Sequence, residues 1–174
     1  GNVVVFHSSD LPEGRGWAPI YHAFIEGKKD FVLTGIFAAD KVDTGDIIVR
    51  ATFAIQDNFT ASFLRKVDNE LTFLLLAKIL DKWPNTLPVG LQQIGEGSYR
   101  SRRYPKDNEV KINQTINKLI PHFRAVEPRS PAYFYFNDVK YIIDIRPSES
   151  PRFPDKITID YPGLNETEIL YINL

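Results

Sequence analysis

The first strand-like run of the chain constrains its fold most strongly. Residues 3–6 are apolar and rich in β-branched side chains, which is typical of a strand buried on both faces of a parallel sheet. A polar loop rich in Gly and Pro follows over residues 8–16, and residues 19–26 before Gly27 predict a short helix. Ligands of open α/β sheets bind at the carboxyl ends of strands, so His7, at the end of this strand, is a candidate site residue.

The next part of the chain continues the alternation of strands and helices. Residues 31–37 and 47–55 predict two strands, separated by a polar turn at residues 43–46. A long helix is predicted from Thr60, as its N-cap, to Trp83, before Pro84. Its apolar side chains keep helical spacing and predict a core face rather than a cofactor site: Phe63, Leu64, Val67, Leu71, Leu74 and Leu75.

The second half predicts a smaller, β-rich unit. The polar residues 92–105 indicate a linker, and a shorter helix is predicted after Thr115, ending near Arg124, with Pro121 forcing a kink or a late start. The aromatic segments that flank Asn137 and Asp138, at residues 133–136 and 140–145, predict a hairpin, and residues 156–160 and 168–174 could add two strands. This order of elements predicts an α/β fold in three parts: a first unit at residues 1–90, a linker at residues 91–105 and a small β-rich module at residues 106–174.

Composition excludes several classes of function. The 174 residues contain no cysteine, so disulfides, thiolate nucleophiles and zinc–thiolate sites are impossible, and a reducing cytoplasm is expected. Lys and Arg number 21 against 22 Asp and Glu, which is not the basic excess of a protein that grips nucleic acid through phosphates. No apolar run is long enough to span a membrane. The absence of methionine indicates a fragment, a processed chain, or a sequence in which methionine is missing or replaced.

Two residues are candidates for proton transfer. His7 could donate a hydrogen bond to a developing oxyanion, although a histidine in this position could equally hold the loop backbone. Asp43, in the turn Asp43-Thr44-Gly45-Asp46, could orient an imidazole and accept a proton, although Asp and Gly are also ordinary turn residues. Neither residue is persuasive alone.

A basic and aromatic cluster lies in the predicted linker. The segment Tyr99-Arg100-Ser101-Arg102-Arg103-Tyr104-Pro105 could clamp a phosphate by bidentate hydrogen bonds and stack a base or sugar. A solvated linker is an equally good explanation from the residues alone.

Both candidate residues lie in segments that resemble the signatures of the formyltransferase family. Residues 7–19 resemble its loop of His, Ser, Leu-Pro and Arg-Gly, and residues 42–48 resemble its Asp-x-Gly turn followed by a strand. The family includes methionyl-tRNA formyltransferase, glycinamide ribonucleotide formyltransferase and enzymes that act on nucleotide-linked amino sugars. Residues 102–107, residues 124–126 and the aromatic hairpin resemble the start of its carboxyl-terminal module, and lean towards the sugar enzymes.

The resemblance implies a fold and a set of roles. The fold would be part of the family's Rossmann-like sheet, followed by a small OB-like module. His7 would stabilise the oxyanion on the formyl carbon, and Asp43 would orient His7 and relay the amine proton. The donor would be 10-formyltetrahydrofolate, with no metal. The supporting residues fall into three groups: His22 and Ser9 beside the catalytic pair; Arg15, Gly16, Thr44 and Gly45 at the loop and folate side; and Arg102, Arg103 and Tyr104 for the phosphate and base of the acceptor.

The chain departs from the family pattern in two places. Val5 stands where the family has an asparagine that polarises the formyl oxygen, and His22 is a candidate to substitute for it. The family has several strand–helix units ahead of the histidine, whereas here it is residue 7. The chain is therefore expected to be the carboxyl-terminal part of such a protein, to bind folate weakly by itself, and to be inactive alone.

The predicted function is formyl transfer to the amine of a nucleotide-linked amino sugar. Methionyl-tRNA is the alternative acceptor, which would make tRNA a partner, and a degenerate homologue that only binds ligands is the alternative from a different class. We expect a cytoplasmic protein without membrane contact. The tail from Pro151 onwards is a candidate closing strand or homodimer arm.

Overall fold

The computed structural model describes residues 3–82 and 89–172. Within these ranges, three α-helices and nine strands follow one another in the order β1-β2-α1-β3-β4-α2-β5-α3-β6-β7-β8-β9. Their bounds are β1 Val4–His7, β2 Arg15–Gly16, α1 Pro19–Ile25, β3 Asp30–Phe37, β4 Ile47–Ala54, α2 Ala61–Lys82, β5 Tyr99–Arg100, α3 Ile116–Ala125, β6 Ala132–Phe136, β7 Val139–Ile143, β8 Lys156–Tyr161 and β9 Glu166–Tyr171. None of the described helices is both long and apolar enough to cross a membrane.

A five-stranded sheet in the order β1-β3-β4-β8-β9 forms the centre of the fold. Helix α2 packs on this sheet and buries the predicted apolar face, including Leu64, Val67, Leu71 and Leu75. Each of these buried side chains contributes about 1.5–3 kcal/mol of hydrophobic free energy. The predicted α/β class is therefore confirmed.

The direction of the first strand differs from the expectation. β1 pairs antiparallel with β3, with Val4 opposite Phe37 and His7 opposite Thr34, and every other pairing in the five-stranded sheet is antiparallel as well. β1 lies at one edge of this sheet, and Val5 keeps 37% of its surface exposed. The prediction of a parallel strand buried on both faces is wrong, because a short apolar run does not define the direction of its neighbour.

Local signals located most elements correctly. Thr60 caps α2, since its Oγ1 accepts the backbone N–H of Phe63 at 3.4 Å. The predicted end of this helix at Trp83 lies outside the described residues. Pro121 lies inside α3, so the helix does not start late. Asn137 and Asp138 both have positive φ and form the two-residue turn of the β6–β7 hairpin.

The tail does form two strands, but they do not join the hairpin. β8 pairs with β4 through Arg50–Asp160, Ala51–Ile159 and Thr52–Thr158, and β9 pairs with β8. β6 and β7 form a separate two-stranded sheet, so an OB-like module is not confirmed for residues 106–172. The boundaries at residues 90 and 105 stay predictions, and residues 156–171 lie in the same sheet as residues 4–54.

Candidate functional site

The fold brings His7 and Asp43 together. His7 is the last residue of β1, and Asp43 lies in the connection between β3 and β4, with φ of 55°. His7 Nδ1 lies 3.5 Å from Asp43 Oδ2, and the His7 side chain is 9% exposed. At the other side of the ring, His7 Nε2 lies 2.9 Å from the carbonyl oxygen of Gly14. Both ring nitrogens thus lie near oxygen atoms that can accept hydrogen bonds.

The Asp43 carboxylate is also held by the loop that follows His7. The backbone N–H of Gly16 donates to Asp43 Oδ2 at 2.8 Å, so this oxygen faces both Gly16 and His7. Asp is one of the few residues that tolerates the left-handed φ found here. The Asp43 side chain is therefore held in place beside the imidazole.

The loop of residues 8–16 is anchored on the main sheet. Thr34 Oγ1 donates to the Ser9 carbonyl at 2.6 Å, and Arg50 Nη2 donates to the Leu11 carbonyl at 2.7 Å. The Leu11 side chain is fully buried against Ile36 and Ile47. These contacts, from β3 and β4, hold the residues after His7 in one conformation.

The predicted linker lies against the site. β5 pairs in parallel with β2, and the Ser98 hydroxyl accepts the N–H of Gly14 at 2.8 Å. The Gln93 amide nitrogen donates to the Asp43 carbonyl at 2.9 Å and to the Gly45 carbonyl at 2.8 Å, while its oxygen accepts from Arg15 Nη2 at 2.7 Å. Residues 91–100 therefore connect the two signature segments, and sequence reasoning missed this because a glutamine in a polar stretch carries no local signal.

We expect Gln93→Leu to weaken the connection between these two segments. The substitution removes four hydrogen bonds and leaves two backbone carbonyls without their donor, so the free energy of unfolding should fall by about 1–2 kcal/mol. Urea unfolding measures the change. Gln92→Leu is the matched control, because Gln92 is exposed. Equal midpoints for the two variants would contradict the bridging role.

The remaining residues of the loop and turn have structural contacts. The Ser9 hydroxyl donates to the Glu13 carbonyl at 2.7 Å, and the Thr44 hydroxyl donates to the Lys41 carbonyl at 2.9 Å. Gly45 has no room for a side chain, because a Cβ there would overlap the carbonyl of Phe37. These contacts account for the turn without a ligand.

His22 lies in a different environment from the His7–Asp43 pair. It is on α1, where its Nδ1 is 3.7 Å from Glu26 Oε1, and Glu26 also pairs with Arg100. Burial, followed by the nearby charge of Arg100, lowers the pKa of His22. Among the described residues, no hydrogen bond or ion pair joins His22 to His7. His22 instead lines a cavity of about 250 Å³, which is also lined by Ser8, the residue after His7.

The arginines of the basic cluster do not act as one clamp. Arg102 lies over the rings of Trp17 and Tyr104, at 4.9 and 5.6 Å from their centroids. Arg103 instead stacks on Tyr21, and its Nη2 donates to Asn108 Oδ1 at 2.7 Å. Burial lowers the pKa of Arg103. Of Arg102 and Arg103, Arg102 is thus the one whose guanidinium contacts only aromatic rings among the described residues.

A second carboxylate, Asp68, contacts Ser8, the residue after His7. Asp68, on α2, is 8% exposed, and its Oδ1 accepts the hydroxyl of Ser8 at 3.0 Å. Burial raises the pKa of Asp68, while the Ser8 hydrogen bond and the charges of Arg65 and His7 lower it. Sequence reasoning assigned this helix face to the core; the one available signal was an acidic residue between Val67 and Leu71.

Comparison with known proteins places the two signature segments in one family. Residues 1–73 match the family described as formyl transferase. Methionyl-tRNA formyltransferase from Syntrophomonas wolfei is 31% identical over 136 residues, which cover 77% of this chain and 43% of that protein. The chain thus spans less than half the length of the curated relatives that it matches.

Solved structures share the fold at low identity. A sugar N-formyltransferase from a Shewanella species has a TM-score of 0.70 at 19% identity, covering 86% of this chain and 63% of that one. HypX from Aquifex aeolicus, in complex with tetrahydrofolic acid, has a TM-score of 0.63 at 12% identity, covering 91% and 30%. The segment that matches the formyl transferase family, residues 1–73, contains His7, Asp43 and the loop between them.

Proposed function

We propose that this chain takes part in the transfer of a formyl group from 10-formyltetrahydrofolate to a primary amine. The observation that carries the proposal is the approach of His7 Nδ1 to Asp43 Oδ2, at 3.5 Å, within the segment that matches the family. A binding module needs no such pair. The tetrahydrofolate bound by HypX, which shares this fold, supports the choice of donor.

The pair suits a reaction that passes through a tetrahedral intermediate. The neutral amine attacks the formyl carbon and negative charge develops on the formyl oxygen. The bond from that carbon to the donor nitrogen then breaks, and that nitrogen takes up a proton to replace the one that the amine releases. His7 Nε2–H is the group that would donate to the oxyanion, and it must exchange the Gly14 carbonyl for the formyl oxygen to do so. The Asp43 carboxylate would stabilise the imidazolium and help to accept the amine proton.

With valine at position 5, His7 would be the main hydrogen-bond donor to the formyl oxygen. Residues two apart on a strand face the same side, so Val5 lies beside His7 on β1. A valine side chain donates no hydrogen bond. The valine at position 5, where the family has asparagine, is also the observation that favours a non-catalytic homologue. That is the second candidate function.

We propose a nucleotide-linked amino sugar as the acceptor. Arg102, between Trp17 and Tyr104, offers a cation and aromatic faces for a diphosphate and a base. The relatives named methionyl-tRNA formyltransferase support the alternative acceptor. A formyl-transfer assay with the full-length parent protein, supplied with nucleoside-diphosphate amino sugars and methionyl-tRNA side by side, tests both.

Arg102→Gln is expected to separate acceptor binding from chemistry. Loss of the charge should raise KM for the nucleotide sugar about tenfold, equivalent to about 1.4 kcal/mol, with little change in kcat. Arg146→Gln is the control, because Arg146 is exposed and forms its ion pair with Asp144. A KM for Arg102→Gln that matches the control would rule out this role for Arg102.

A further inference from the structure

Asp68 is an unusual residue for the core face of a long helix. It lies between the buried residues Leu64, Val67 and Leu71 of α2, and it is itself 8% exposed. Burying a carboxylate is costly unless it is paired or hydrogen-bonded. The partner here is the Ser8 hydroxyl, which donates to Asp68 Oδ1 at 3.0 Å. Asp68 Oδ2 accepts no hydrogen bond from the described residues.

The contact connects α2 directly to the catalytic strand. Ser8 follows His7 in the chain, and β1 ends at His7. β1 lies at an edge of the five-stranded sheet, so it is held laterally by β3 alone among the described strands. The Asp68–Ser8 hydrogen bond therefore ties the free end of this strand to the helix that packs across the sheet.

The charges around the contact come from three elements. Asp68 faces His7 from β1 and Arg65 from its own helix, while Asp43, in the β3–β4 connection, faces His7. The imidazole of His7 thus lies 3.5 Å from the Asp43 carboxylate, and the Asp68 carboxylate is hydrogen-bonded to the next residue, Ser8. A nearby negative charge stabilises the imidazolium over the neutral ring.

We propose that Asp68 is a positioning residue of the His7 site, which anchors Ser8 at the end of β1 and whose negative charge stabilises protonated His7. The role in catalysis rests on the proposed function, because it matters only if His7 handles the proton and the oxyanion. The effect on His7 itself does not depend on formyl transfer. The role of Asp68 in catalysis and its effect on His7 are therefore tested separately.

Titration of His7 by NMR on this chain tests the electrostatic role. Asp68→Asn keeps an acceptor for Ser8 but removes the charge, so we expect the pKa of His7 to fall by about half a unit or more. Glu70→Gln removes the same charge from an exposed position of the same helix and should leave the His7 titration unchanged. His7→Asn identifies the resonance. A His7 titration in Asp68→Asn that coincides with the wild type would overturn the proposal.

Ser8→Ala separates the anchor from the charge. It removes the hydrogen bond but keeps the carboxylate, so we expect faster amide hydrogen exchange at the end of β1 with a smaller shift in the His7 pKa. Unchanged exchange would exclude the anchoring role, and this variant decides that point even if Asp68→Asn does not fold.

A formyl-transfer assay with the full-length parent protein tests the catalytic part of the proposal. Asp68→Asn should lower kcat about tenfold with little change in KM, and should move the alkaline limb of the pH–rate profile to lower pH, because His7 would lose its proton at a lower pH. A kcat and pH profile equal to those of Glu70→Gln would contradict the catalytic part. If the wild type transfers no formyl group, the proposed function fails, while the NMR result still decides whether Asp68 acts on His7.

Discussion

His7→Asn and Asp43→Asn are each expected to lower kcat for formyl transfer about 10³-fold in the full-length parent protein. Asparagine at position 7 cannot become a cation or deliver a proton, so the oxyanion loses its charged donor. Asparagine at position 43 tolerates the positive φ and still accepts the N–H of Gly16 through its side-chain oxygen. It removes the negative charge that would stabilise protonated His7.

Measurement of kcat for both variants under saturating donor and acceptor tests the assignment. Asp40→Asn, at an exposed position just before the same turn, is the matched control and should retain its rate. Thermal unfolding verifies that both site variants are folded. Rates within twofold of the wild type for both would remove His7 and Asp43 from the catalytic machinery.

The largest effect on stability is expected at Gly16. Its φ is +93°, and a Cβ there would lie 2.5 Å from the Arg100 carbonyl oxygen and 2.8 Å from the Tyr99 ring. Gly16→Ala must therefore push β2 away from β5 and weaken the N–H donation to Asp43. We expect the free energy of unfolding to fall by about 3 kcal/mol.

Gly27→Ala separates steric overlap from backbone strain. Gly27 also has positive φ, at +62°, but no heavy atom lies within 4 Å of a Cβ placed there. This variant should lose only about 1 kcal/mol, the cost of the left-handed conformation. Urea unfolding of the two variants gives the difference. Equal losses would show that the close approach of β2 and β5 adds nothing to stability.

Local patterns in the chain determined most of the individual elements. Helical spacing located α2, the Thr60 cap marked its start, and Asn137-Asp138 marked the hairpin turn, because these signals depend on neighbours within a few residues. The two signature segments identified His7 and Asp43 as a candidate pair. Their chemical roles stay predictions, whereas their proximity, at 3.5 Å, is a property of the fold.

Only the tertiary structure decided how distant segments meet. The antiparallel direction of β1, the pairing of β8 with β4, the bridge formed by Gln93 and the burial of Asp68 beside Ser8 all join residues at least 27 positions apart. Such contacts depend on which faces pack together and on which polar groups need a partner once they are buried, and neither is encoded in a short window of sequence. The residues that carry the candidate chemistry were visible in the chain, and the contacts that hold them in place were not.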